Sequence, residues 1–64
     1  MSSEDLYIKN IENAIRALRI GSKEPKDLNV GHNFTKLKPL NEGMHDDLMG
    51  KYKTALEVYN KKKK

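Results

Sequence analysis

The side chains able to ligate a metal in this 64-residue chain are His32, His45, Asp46, Asp47 and scattered glutamates. Three of them are consecutive, and on a helix neighbours at 45, 46 and 47 point in different directions. No His or Asp pair has the i, i+4 spacing that lets two side chains reach one ion. We therefore expect no metal, with His45 rimming an apolar face and His32 in a turn. Nucleophiles are equally without context. Ser2, Ser3, Ser22, Thr35 and Thr54 have no neighbouring base in a recognisable motif, and the four glycines form neither a dinucleotide fingerprint nor a phosphate loop. A chain of this size offers little room to bury a substrate, so we expect no enzyme, no cofactor and no small-molecule substrate. Asn33-Phe34-Thr35 fits the glycosylation acceptor pattern, but no secretory signal precedes it and we read it as coincidence.

Basic residues are the remaining chemistry. Lysine and arginine outnumber Asp and Glu 13 to 9, a net charge of +4. Residues 1–20 carry three of each sign, residues 21–40 four basic and two acidic, and residues 41–60 two basic and four acidic. The body sums to zero, and the excess is the terminal run Lys61, Lys62, Lys63 and Lys64. Such a run neutralises phosphates without reading sequence. Base edges would need arginine or an amide on a helix, and Arg16 and Arg19, with Asn13 near them, are the best set. Glu12 lies beside them and opposes that reading. Lys51 and Lys53 fall in a stretch that is net acidic, and Lys23, Lys26, Lys36 and Lys38 lie in the connector.

The element that would carry the arginines is the clearest in the chain. Tyr7, Ile8, Ile11, Ala14, Ile15 and Leu18 recur every three or four positions, placing them on one face of a helix over residues 3–20. Ser2 or Ser3 can cap its start, Glu4 and Asp5 suit its positive first turn, Arg16 and Arg19 suit its negative end, and Gly21 suits a left-handed stop. Leu6, Ala17 and Ile20 fall on the far side with Asn10 and Asn13; we expect Leu6 and Ile20 to pack under neighbouring chain at the helix ends, with a weaker second contact surface as the alternative. A second helix over residues 42–60, capped by Asn41, groups Met44, Leu48, Tyr52, Ala55, Leu56 and Tyr59, with Met49 at the edge. Gly43 and Gly50 lie opposite, each costing about 1 kcal/mol relative to alanine; we read them as simply tolerated, the alternatives being a helix that frays or breaks near Gly50 or another backbone approaching there. Between the helices, Pro25, Gly31 and Pro39 interrupt any continuous helix. Leu28, Val30, Phe34, Leu37 and Leu40 nevertheless need cover. We expect a packed irregular connector anchored by Phe34, with one short helical turn near residues 24–28 and an extended or turn-like path over residues 34–38. About twenty connector residues can span either helix, so the two need not be antiparallel.

The fold class is thus all-α: two principal helices and a packed connector, with residues 1–60 one small domain and residues 61–64 a flexible lysine tail. A chain this short has a marginal core, and without cysteine it has no disulfide to reinforce it. No run approaches the ~18 apolar residues of a membrane span, and the composition fits a cytoplasmic protein. The shortfall in core predicts a partner: a second copy, or a larger protein bound by a regulatory or accessory module. Leu6, Asn13, Arg16, Ala17 and Ile20 are the candidate partner-binding residues. The alternative is a nucleic-acid-associated factor that uses Arg16, Arg19 and residues 61–64. No membrane partner is expected.

Overall fold

A computed structural model describes residues 3–63, with side chains through Lys62; Met1, Ser2 and Lys64 lie outside the described residues, and with them the Ser2 cap and the last lysine of the run. The described chain is all-helical. α1 spans Ser3–Ile20, a single 3₁₀ turn spans Pro25–Asp27, α2 spans Val30–Leu37 and α3 spans Glu42–Lys63.

Each boundary follows from local chemistry. At the end of α1 the Ser22 amide donates to the Ala17 carbonyl at 3.0 Å and the Gly21 amide to the Leu18 carbonyl at 3.2 Å. This is the Schellman pairing, and it requires the left-handed φ of +74° that Gly21 adopts. Pro25 opens the 3₁₀ turn, which is closed by the Asp27 amide on Glu24 and the Leu28 amide on Pro25. Asn41 begins α3: its Oδ1 accepts from the Met44 amide at 3.0 Å, and its carbonyl accepts from the His45 amide at 3.0 Å.

α1 and α3 make the main contact, and both contact α2. Lys62, in the last turn of α3, donates from Nζ to the carbonyl of Arg19, in the last turn of α1, at 2.8 Å. The C-terminal ends of the two long helices are therefore adjacent, and the helices run in the same direction. α2 runs back between them. Leu28 and Val30 lie beside Ala14 and Ala17, and Asn33 reaches Asn10 nearer the start of α1. The result is an up-down-up arrangement 37 Å long and 18 by 15 Å in section.

The core is the meeting of the three apolar faces. Ile11, Ala14, Ile15 and Leu18 of α1, Val30, Phe34 and Leu37 of α2, and Leu48 and Ala55 of α3 are buried. Tyr7, Ile8, Leu28, Met44, Met49, Tyr52, Leu56 and Tyr59 pack around them. Phe34 is the anchor, with its ring edge-on to His45 at 5.5 Å and to Tyr52 at 5.8 Å.

Several expectations are corrected. Residues 34–38 are not extended: α2 continues through Leu37, because a helix puts Val30, Phe34 and Leu37 on one buried face. His32 consequently lies within α2 rather than in a turn. Leu40 is 52% exposed, beyond the helix in the turn to α3. α3 passes through Gly50 unbroken, as expected for a tolerated glycine, but it runs on through Lys63, so Lys61, Lys62 and Lys63 continue the helix where a flexible tail was expected. No neighbouring backbone explains Gly50, since a Cβ there would meet nothing within 4 Å.

Candidate interaction surface on α1

The far side of α1 is the surface left over when its main stripe is buried. Leu6 is 48% exposed and Ile20 66% exposed, in contrast to the buried stripe of the same helix. Asn13 and Arg16 are also exposed, and Ala17 is half-buried. The candidate partner-binding residues therefore do share the outer side of the helix, but the neighbouring elements divide it.

On one flank, between α1 and the chain leading into α2, lies a groove lined by Asn10, Asn13, Ala17, Lys23, Asp27 and Asn29, among others. Amides organise its floor. Asn33 is buried, its Oδ1 accepting from Asn10 Nδ2 at 3.2 Å and its Nδ2 donating to the Asn29 carbonyl at 2.7 Å. Asn33 is therefore a structural tie between α1 and α2 with both side-chain polar atoms engaged. That burial removes it from the solvent contact that modification of the Asn33-Phe34-Thr35 sequence would need.

On the other flank Arg16, Arg19 and Ile20 border a groove against α3. Ile15 and Leu48 form its apolar floor, and Glu12 and Lys51 complete its walls. This groove continues over Thr54 and Ala55. The structure thus brings Arg16 and Arg19 to Lys51, a residue 32 positions further along the chain than Arg19, and to Lys62 through the Arg19 carbonyl. Lys61 is exposed in the last turns of α3.

The cations are not all available. Lys51 faces Asp47 at 3.4 Å, one turn away, and Lys62 is engaged on the end of α1. Glu12 adds a negative charge on the same wall. Sequence spacing placed Lys51 only within an acidic stretch; its Asp47 partner at i, i+4 was the signal for a paired side chain.

Away from α1, His45 Nδ1 and Asp46 Oδ1 are 3.0 Å apart, and the His45 ring packs on Phe34. Among the described residues no three His, Cys, Asp or Glu side chains converge on a point, and no helix is long and apolar enough to cross a membrane. No protein-family model, no curated protein and no solved structure matches this chain.

Proposed function

We propose that this chain is a non-enzymatic helical interaction module: a cytoplasmic regulatory or accessory factor that acts by binding protein, either a second copy of itself or a larger target, through the outer side of α1. One observation carries this reading. Leu6 and Ile20 remain exposed at 48% and 66%, although α2 and α3 together cover the rest of the large apolar side chains of the same helix. Covering the two would contribute roughly 1.5–3 kcal/mol for each fully buried side chain, a useful increment for a domain of this size.

The test compares the intact chain with Leu6→Asp and with Ile11→Asp. Immobilised intact protein should retain a protein ligand that Leu6→Asp loses while keeping its helical circular dichroism; Ile11→Asp, which puts a charge in the core, should lose both. Equal retention by the intact chain and Leu6→Asp would count against this face.

A second reading, a nucleic-acid-associated factor, is favoured by the grouping of Arg16 and Arg19 with Lys51 along the groove between α1 and α3, and by Lys62 at the end of α1. It ranks below the first because Asp47 and the Arg19 carbonyl already engage two of those lysines. Replacing residues 61–64 by glutamine should weaken DNA or RNA binding and flatten its dependence on salt. Absence of binding by the intact chain at low salt would remove this reading.

A further inference from the structure

The groove between α1 and α3 changes character along its length. Arg16 and Arg19 on one wall face Lys51 on the other, and Lys62 lies beyond them at the end of α1. Glu12 begins the first wall, and Asp47 stands one turn before Lys51. Asp5 and Lys9, seven residues before Glu12 and Arg16, continue the α1 wall toward its start. Glu57 is outside the lining, about 120° round α3 from Lys51. Every carboxylate of the seam therefore precedes Arg16 and Arg19 on α1, or Lys51 and Lys62 on α3. The half toward the end of α1 is purely basic.

The two guanidiniums there are exposed, and among the described residues neither has an ion-pair partner. Glu12 does not pair with Arg16, although it stands at the helical spacing that favours a pair. The contact of Lys51 with Asp47 joins side chains that are 62% and 59% exposed, and such pairs are readily exchanged for others. Between the charged walls runs an apolar strip. Ile15 and Leu48 form it, Ala55 continues it, and Ile20 stands exposed at its rim. The groove holds about 340 Å³, and α1 rises about 12 Å from Glu12 to Ile20, the length of two turns of a partner helix.

We propose that this groove docks an acidic amphipathic segment of another protein, with its carboxylates on Arg16, Arg19 and Lys51 and its apolar side chains against Ile20 and the strip beneath. This rests on the protein-binding reading above and names the flank used and the chemistry of the partner. Charge complementarity selects the occupant. An arginine presents a planar fork that a carboxylate meets with two parallel hydrogen bonds, and opposite charges across an interface steer encounter and exclude wrong partners. Lys62 already meets the negative end of α1 through the Arg19 carbonyl, so the guanidiniums are free for a ligand. The exposed isoleucine favours protein over nucleic acid, because a phosphate backbone has no apolar side chain to cover it. Glu12 in the wall and Asp47 beside Lys51 interrupt the row of cations that a phosphate backbone would follow.

The test uses three labelled synthetic peptides, one of glutamate and leucine in helical alternation, one with lysine in place of glutamate and one with serine in place of leucine. Fluorescence anisotropy should show binding of the glutamate-leucine peptide only. Combined Arg16→Glu and Arg19→Glu should weaken it roughly tenfold or more with circular dichroism unchanged, and should create affinity for the lysine-leucine peptide. Ile20→Asp should weaken the glutamate-leucine peptide as well. Methyl resonances of Ile15, Ile20, Leu48 and Ala55 in the intact chain should shift on its addition, a readout that needs no variant to fold. Equal binding of the glutamate-serine peptide would overturn the apolar part of the docking. Shifts confined to other residues, or no binding of the glutamate-leucine peptide, would overturn the groove. Displacement of that peptide by duplex DNA, with the same methyl shifts, would assign the groove to nucleic acid and overturn the acidic segment. Leu6 lies outside this groove, so a protein ligand that Leu6→Asp loses and the doubly reversed chain keeps would overturn the groove while sustaining the protein-binding reading.

Discussion

Leu18 has no solvent exposure and sits where α1 meets the rest of the core. Truncating it removes a full side chain from a packed interior, so Leu18→Ala should lower the unfolding free energy by about 2–5 kcal/mol in a urea titration. For a domain of this length that is a large share of the total, which scales as roughly 0.05–0.15 kcal/mol per residue. Leu6→Ala, on the exposed side, should change stability by about 0.5 kcal/mol or less under dilute conditions. The contrast separates the stripe that folds the protein from the residues free to do something else. Tyr52 adds a pH dependence. Burial raises its phenol above the ordinary value of 10.0, because desolvation disfavours the phenolate. Above pH 10.0 the unfolded chain loses that proton while the native chain still holds it, so stability is full below this pH and falls as pH rises through the folded value. Tyr52→Phe should therefore lose less stability than the parent chain when thermal melts are compared at neutral pH and above pH 10. How much of this was readable in advance differs between the two sites. Leu18 follows from helical spacing alone, whereas Tyr52 was readable only as a core candidate, since its desolvation depends on how the helices pack around it.

Gly21 and Gly50 have opposite roles in their elements. Gly21 ends α1 in the left-handed conformation, with φ +74°. Gly21→Ala should destabilise by about 1–2 kcal/mol because a Cβ is unfavourable there. Gly50 lies inside α3 in ordinary helical conformation with open space around it. Gly50→Ala should therefore stabilise by about 1 kcal/mol, and chemical denaturation of the two variants should move in opposite directions. The Asn41 cap of α3 predicts a loss of about 1 kcal/mol in Asn41→Ala. These ends were legible because capping is a local matter of one side chain and its own backbone. α2 was not. Its eight residues include Gly31, and isolated helices that short are marginal. Phe34 and Leu37 reach helical register because α1 and α3 offer a core to bury them in, and no local signal carries that information. Leu40 marks the reverse case: it is apolar but falls in the turn after α2 and stays 52% exposed.

At the scale of the molecule, the parallel course of α1 and α3 segregates charge. Glu4, Asp5, Glu42, Asp46 and Asp47 lie in or near the first turns of the two long helices, and Arg16, Arg19, Lys61 and Lys62 near their ends. Two negative helix ends stand side by side there, and the lysines complement them; the Lys62 contact to the Arg19 carbonyl is the explicit instance. Replacing residues 61–64 by glutamine should lower the melting temperature by a few degrees at low salt, with the difference vanishing near 1 M salt, where the screening length is about 3 Å. If the loss persisted at high salt, lysine stems packing on α1 would be the stabilising element instead of charge.

What the sequence determined by itself was the set of helical faces: the stripe from Tyr7 to Leu18, the stripe from Met44 to Tyr59, the stop at Gly21 and the start at Asn41. Each is written in periodicity or in a side chain beside its own backbone. The direction of α3 relative to α1, the third helix between them, and the meeting of Arg19 with Lys51 and Lys62 were decided only by the tertiary structure. They are long-range outcomes: a connector long enough to allow either orientation takes the path that buries Val30, Phe34 and Leu37, and that path sets which ends of the long helices stand together.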